Sequence, residues 1–221
     1  MTDQEIFSRV DHTLLKAAAS WEEIKILCDE AVRHKTASVC IPPACVKPVF
    51  TEYAKRIVIC TVIGFPLGYS VSSAKMRETE CALADGAFEI DMVINIGDVK
   101  NGRFDLVQGE IKSIKSICNK NILKVIIETC YLTEDEKIRL CAVVTDAGAD
   151  FIKTSTGFGP SGATLADVEL FKQYTGEGVK IKAAGGIKTR GDMEAFIAAG
   201  ADRLGTSSAV KILTGGTPAG Y

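Results

Sequence analysis

Three heptapeptides in this chain share one layout: DGAFEID at 85–91, AGADFIK at 147–153 and AGADRLG at 199–205. In each, a glycine stops a helix-like stretch, an alanine follows, and a strand begins. The residues five places after these glycines are Asp91, Lys153 and Gly205, so all three occupy the same station on their strands. A weaker copy, with Lys35 in place of the glycine, puts Cys40 at that offset. A helix–strand unit recurring along a chain marks a repeated supersecondary architecture.

The alternation extends through the whole sequence. Ile24, Leu27, Cys28 and Ala31 recur at i, i+3, i+4 and i+7, which predicts a helix over 21–34, with Ser20 as its cap. Thr133 and Glu136 form a capping-box pattern that opens a helix over 133–147. Further helices are expected at 43–55, 72–85, 105–119, 164–175, 189–199 and 206–213, after a short N-terminal helix. Strands are expected at 12–15, 37–41, 57–63, 88–95, 122–128, 150–154, 179–183 and 202–205. They are apolar runs rather than alternating ones, as parallel strands covered on both faces require. Eight β/α units in 221 residues without a linker predict an α/β fold, a single (β/α)8 TIM barrel over 1–221 as one domain. A doubly wound open sheet is the alternative. In a barrel, alternate strands feed one interior layer. Cys40, Asp91, Lys153 and the space over Gly205 are therefore expected to converge near the C-terminal mouth.

Lys153 lies in the apolar run FIK before a glycine-rich loop, STGFGPSG. An amine there is costly to bury charged. Burial and a neighbouring cation lower an amine's pKa, and the neutral amine is the nucleophile of Schiff-base chemistry. Lys182, in VKIKAAGGIKT, supplies a candidate cation, and Asp91, in FEIDMVIN, a carboxylate that can orient an amine and relay protons. The alternative is a structural ion pair between Lys153 and Asp91. Asp11 precedes the first predicted strand, and Cys40 also reads as plain packing. The loops carrying Gly185 and Gly186, and Ser207 and Ser208, follow the seventh and eighth strands, where barrels of this kind commonly hold phosphate.

Composition narrows the function. Apolar residues make up 47% and charged residues 24%, with a net charge of −2, which gives no basic surface for nucleic acid. No apolar run reaches the roughly 18 residues of a membrane span. The N-terminus lacks a signal-peptide pattern, so a cytoplasmic protein is expected. Eight scattered cysteines, no C-x-x-C pair and two histidines suggest reduced, mostly buried thiols and no structural zinc. Neither a metal nor another cofactor is expected.

The motifs DHTLLK (11–16), VCIPP (39–43), TVIGFPLG (61–68), EIDMVINIG (89–97), KVIIET (124–129), FIKTSTGF (151–158) and KAAGGIKT (182–189), in this order, resemble the deoxyribose-phosphate aldolases, class I (Schiff-base) aldolases. The resemblance runs nearly end to end. It implies reversible cleavage of 2-deoxy-D-ribose 5-phosphate to D-glyceraldehyde 3-phosphate and acetaldehyde. Lys153 would be the Schiff-base lysine and Asp91 and Lys182 the proton-transfer residues. The substrate-binding set would be Asp11, Thr13, Cys40, Thr154, Gly157, Gly185, Gly186, Ser207 and Ser208. The implied partners are small sugar-phosphate and aldehyde substrates, with self-association as a homodimer or higher homo-oligomer. Some relatives carry a basic residue directly after TSTG, where this chain has Phe158, so Lys188 joins the candidates for holding phosphate. Some use a tyrosine at a C-terminal tail, which makes Tyr221 a candidate proton relay. Another Schiff-base aldolase or transaldolase, or a sugar-phosphate-binding barrel without turnover, are the competing readings.

Overall fold

The computed structural model describes residues 1–216, so Tyr221 lies outside the described residues. Eight parallel strands run in sequence order: β1 (Val10–Thr13), β2 (Ser38–Ile41), β3 (Ile59–Ile63), β4 (Glu89–Val93), β5 (Ile122–Ile126), β6 (Phe151–Lys153), β7 (Lys180–Ala184) and β8 (Arg203–Thr206). They form a closed barrel. The pairing of Val10 with Leu204 and of His12 with Thr206 joins the first strand to the last and rules out an open sheet. The outer helices are α1 (Asp3–Phe7), α2 (Trp21–His34), α3 (Val46–Tyr53), α4 (Ser72–Ala84), α5 (Ile96–Lys100), α6 (Phe104–Cys118), α7 (Glu134–Asp146), α8 (Leu165–Tyr174), α9 (Arg190–Ala199) and α10 (Ala209–Leu213).

Local sequence sets these limits. Capping boxes at Thr2/Glu5, Ser20/Glu23, Thr133/Glu136 and Thr189/Asp192 open α1, α2, α7 and α9. Each satisfies backbone N–H groups that a helix start leaves free. Gly86 and Gly148, two of the repeat glycines, take φ of +110° and +75°, a region costly for side chains with a Cβ.

Three expectations shift. The first strand begins at Val10 rather than at residue 12, and Asp11 is part of the barrel wall. Leu14 makes a last bond to the Cys40 carbonyl, after which Leu15 packs over Cys40, Cys60 and Val62. The helix expected over 43–55 is an α-helix only over Val46–Tyr53, flanked by 3-10 turns at Pro43–Cys45 and Ala54–Arg56. Pro43 has no N–H to give, and Ala54 turns to φ +45°. The short α5 was not expected; Asn95 caps it by accepting from the Gly97 N–H at 3.0 Å.

The apolar core lies between sheet and helices, where outward-facing strand residues such as Ile90, Met92, Ile152, Ile181 and Leu204 meet the helices. Each such side chain contributes about 1.5–3 kcal/mol by leaving water. The inside of the barrel is built differently.

Candidate active site

Alternation along the strands stacks the inward side chains in three layers of four. The even strands supply Ser38, Glu89, Phe151 and Arg203 near the N-terminal end. The odd strands supply Asp11, Cys60, Lys124 and Lys182 above them. The even strands then supply Cys40, Asp91, Lys153 and Gly205 toward the mouth. Barrel interiors of this kind are usually filled by branched apolar residues. Here they hold three carboxylates and four basic groups, nearly all buried.

These charges form one connected network. Lys153 Nζ donates to Asp91 Oδ2 at 2.7 Å, and Lys182 Nζ donates to the same oxygen at 2.8 Å. Lys124 Nζ meets the other oxygen, Asp91 Oδ1, at 2.9 Å, and Cys60 Sγ donates to it at 3.1 Å. Lys182 also donates to Asp11 Oδ2. Asp11 Oδ1 accepts from Arg203 Nη1 and, at 2.8 Å, from the Ser38 hydroxyl. Glu89 closes the lower end, bound by Lys124 at 2.5 Å and Arg203 at 2.9 Å. Pairing of this kind offsets the cost of burying charge.

The pairing sets the protonation states. Burial works to raise the Asp91 carboxyl, but Lys124, Lys153 and Lys182 outweigh it and hold it well below the usual carboxylate range. Burial opposes ionisation of Asp11 as well, and Lys124, Lys182 and Arg203 overcome it. Burial favours a neutral Lys182, yet Asp11 and Asp91 prevail and raise its pKa, so it stays a cation. Lys124 is likewise raised, its carboxylate neighbours overriding burial. A hydrogen bond with Cys60 lowers the Cys40 thiol against the effect of burial, while burial raises that of Cys60.

A cavity of about 530 Å³ opens over this network. Its wall comes from residues 156–162, 184–188 and 205–208, with Thr13, Leu15 and Lys153. Among the described residues, Lys153 is the one member of the charged network on that wall. Gly157, Gly185, Gly186, Ser207, Ser208 and Lys188 also line it, as does Thr13, whose hydroxyl donates to the Asp11 carbonyl at 2.7 Å. Gly185 and Gly186 take φ of +81° and +77°, a conformation costly for a residue with a Cβ. Phe158 stands on the rim, edge-on to Phe65 with ring centroids 5.3 Å apart.

Three residues expected to bind substrate lie off this wall. Asp11 is fully buried, held one layer down by Lys182, Arg203 and Ser38. Cys40 is fully buried beneath Leu15, among Cys60, Val62 and Phe65. Thr154 points away from the interior layers: its Oγ1 accepts from the Ala184 N–H at 3.1 Å and ties β6 to β7. Each is placed by strand alternation or stacking depth, not by contact with the opening.

Sequence reasoning missed Lys124, Glu89, Arg203 and Cys60. Lys124 carries the same signal as Lys153, a lysine inside an apolar run, ILKVI. Glu89 and Arg203 sit three residues after the repeat glycines, one inward station below Asp91 and Gly205. Cys40, Cys60 and Asp91, and separately Asp11, Cys60 and Glu89, bring potential metal-ligand atoms within 4.8 Å of one another. Their carboxylate oxygens already serve ammonium and guanidinium groups, so a metal ion would have to displace those cations.

Known proteins resemble both the chain and its fold. The profile of the DeoC/LacD family aldolases matches residues 5–210. A deoxyribose-phosphate aldolase of Clostridium botulinum (strain Eklund 17B / Type B) is 57% identical over 221 residues, all of both chains. One from Clostridioides difficile (strain 630) is 59% identical over 95% of this chain and 96% of its own. The solved deoxyribose phosphate aldolase of Aeropyrum pernix superposes with a TM-score of 0.88 at 32% identity, covering 96% of this chain and 91% of that one. With the repeat, the closed barrel and the lysine at its mouth, these matches identify the chain as a member of the DeoC/LacD family of aldolases, among its deoxyribose-phosphate aldolases.

Proposed function

We propose that Lys153 is the Schiff-base nucleophile in the reversible cleavage of 2-deoxy-D-ribose 5-phosphate to D-glyceraldehyde 3-phosphate and acetaldehyde, and that Lys182 and Asp91 handle the protons. The observation that carries this reading is the pair of amines on one carboxylate oxygen, with only Lys153 on the cavity wall.

The neutral Lys153 amine attacks the aldehyde carbon of the open-chain sugar, and loss of water gives an iminium ion. That cation draws electrons from the bond between the second and third carbons once a base takes the proton of the third-carbon hydroxyl. The bond breaks, glyceraldehyde 3-phosphate leaves, and the two-carbon remainder stays on Lys153 as an enamine. Protonation of its terminal carbon restores an iminium ion, and water releases acetaldehyde. Asp91 and Lys182, placed beside the amine, supply acid–base capacity for these transfers. Lys182, held cationic by Asp11 and Asp91, also keeps positive charge next to the reacting nitrogen. Asp11 acts through Lys182 rather than on the substrate. The phosphate sits against Gly185, Gly186, Ser207 and Ser208, with Lys188 supplying charge.

Self-association as a homodimer or higher homo-oligomer is proposed on the strength of the Aeropyrum pernix relative, described as tetrameric, and sedimentation equilibrium measures it. Among the described residues no helix is long and apolar enough to cross a membrane. A cytoplasmic location is proposed in keeping with eight free thiols.

Borohydride reduction in the presence of acetaldehyde, followed by mass mapping, tests the assignment. An ethyl group on Lys153 is expected. Folded protein with no adduct at Lys153 would overturn it.

A further inference from the structure

Glu128 follows β5, buried to 2% exposure and outside the charged network. Its backbone is left-handed, at φ +54° and ψ +68°, a conformation that disfavours any residue with a Cβ. The pairing of β5 with β6 ends at Ile126 and Lys153, and two backbone bonds bracket Glu128 beyond it, from Ile127 N–H to the Lys153 carbonyl and from Thr129 N–H to that of Thr154, one residue short of a regular parallel step. The left-handed residue sits at that one-residue slip, between two segments that stay hydrogen-bonded. It turns one carboxylate out of the barrel wall and into the loop that follows Lys153.

There the carboxylate accepts from Thr156. The backbone N–H of Thr156 lies 3.1 Å from Oε1 and 3.3 Å from Oε2, and its hydroxyl donates to Oε2. With its proton committed, Thr156 Oγ1 accepts from the Phe158 N–H at 3.0 Å. Cys130 Sγ, 3.9 Å from Oε1, is a weak further neighbour. Among the described residues these partners are neutral: no Lys, Arg or His forms an ion pair with Glu128. A buried carboxylate on disfavoured backbone, without a cation, is an expensive way to fold a loop, and such outliers cluster at functional sites.

The loop it holds sets the anion cradle. Residues 156–162 form one wall of the cavity, and the backbone of that wall packs directly on the opposite glycine. A Cβ on Gly162 would lie 2.3 Å from the Gly185 carbonyl, and one on Gly185 would lie 3.0 Å from Gly162 Cα and 3.6 Å from Gly157 Cα. Nothing but backbone separates the two, so the position of the loop is the position of Gly185.

We propose that Glu128 is a positioning residue for recognition of the substrate's phosphate, acting through Thr156 and the 156–162 loop on the Gly185–Gly186 cradle. The proposal rests on the assignment of that cradle to phosphate. Loosening the clamp moves groups that meet the phosphate and leaves Lys153 where strand pairing puts it. The signature is a selective loss for the phosphorylated substrate.

Two variants test this. Glu128→Gln keeps the shape but offers one acceptor where Thr156 uses two. Glu128→Gly removes the carboxylate and suits the left-handed backbone, which offsets part of the cost of leaving Thr156 without its acceptor; circular dichroism shows that each variant is folded before it is assayed. For each, KM and kcat are measured with 2-deoxy-D-ribose 5-phosphate and with unphosphorylated 2-deoxy-D-ribose. KM for the phosphate ester should rise about tenfold or more, since small displacements of a positioning group are felt strongly. Its kcat, the kcat/KM for the free sugar and the yield of acetaldehyde-trapped Lys153 should stay within about threefold of wild type on the same grounds. An unchanged KM for the phosphate ester in the folded glycine variant, or equal losses on both substrates, would overturn the proposal. Failure of the cradle assignment has a different mark: the wild-type enzyme would then show no preference for the phosphorylated sugar.

Discussion

Lys153 and Lys182 touch the same oxygen: their ammonium nitrogens lie 2.7 and 2.8 Å from Asp91 Oδ2. Two cations converge on one anion inside a network whose basic groups, Lys124, Lys153, Lys182 and Arg203, outnumber its carboxylates, Asp11, Glu89 and Asp91, by four to three. The three other basic groups each contact two or three carboxylates. Lys153 contacts one and faces the cavity. The network can release Lys153 without losing its own pairing.

Lys153→Met should therefore separate activity from stability. Turnover and acetaldehyde trapping should vanish, because among the described residues the other lysine on the cavity wall, Lys188, lies on the loop after β7 and outside the charged network. Unfolding free energy should stay within about 1 kcal/mol of wild type or rise, since Asp91 keeps two lysines and a buried charge is replaced by an apolar chain of similar length. Chemical denaturation measured beside an activity assay checks both. A loss of several kcal/mol would show that Lys153 is needed to hold the barrel together.

Lys182→Met should behave in the opposite way on stability. It strips one oxygen each of Asp11 and Asp91 of a buried partner, and breaking such a pair typically costs about 3–5 kcal/mol. Activity in the surviving folded fraction should fall by about 10²–10⁴-fold, the usual scale of a lost acid–base group. Stopped-flow cleavage on protein shown to be folded by circular dichroism gives the number. Near-normal turnover would remove Lys182 from the proton path.

How much of this was legible depends on what fixes a side chain's depth. The glycine-anchored repeat gave Asp91, Lys153 and Gly205 a common layer, because each glycine sets the same phase on an even strand. The same phase places Glu89 and Arg203 one station lower. Charges at the N-terminal end of a strand read as solvated ends, which hides both. Lys124 sits on an odd strand with no such anchor, so its layer could not be counted from sequence. Cys40 reads as inward from the repeat, yet sequence does not say that Leu15 lies between it and the opening. Asp11 reads as preceding the first strand, because four residues are too few to show where that strand begins, so its layer is not legible either. The five residues of α5 are too few to show a helical period. Glu128 reads as an ordinary acidic residue at a strand end, since its left-handed backbone follows from tertiary contacts with Thr156.

The buried network should also set the range of pH over which the fold is stable. Asp11 and Asp91 have folded pKa values below those of the unfolded chain. Their contribution is complete above about pH 4, the unfolded carboxyl value, and is lost as pH falls from there through the depressed folded values. Lys124 and Lys182 are raised in the folded state. Their contribution is complete below about pH 10.4 and is lost as pH rises through the folded values. Melting temperature should be level between about pH 5 and pH 9 and fall on both sides. Asp11→Asn should be less stable on the plateau and show a shallower acid limb. An unchanged acid limb in that variant would place the acid-sensitive groups elsewhere.

Phe158 gives the last test, because it stands on the cavity rim directly after TSTG. It is 49% exposed and packs edge-on against Phe65, the ring planes 89° apart. Phe158→Lys places an ammonium on the wall shared with Gly185, Gly186 and Lys188. KM for 2-deoxy-D-ribose 5-phosphate should fall about two- to fivefold at low ionic strength, the scale of a partly exposed charge pair. The gain should shrink as salt is added. Unphosphorylated 2-deoxy-D-ribose should gain nothing. Stability should drop by up to about 1 kcal/mol through loss of the aromatic contact. Initial-rate kinetics for both substrates at two salt concentrations decide it. A KM that does not move for the phosphate ester at low salt would mean that position 158 faces away from the bound phosphate, and that Phe158 serves the apolar side of the mouth with Phe65.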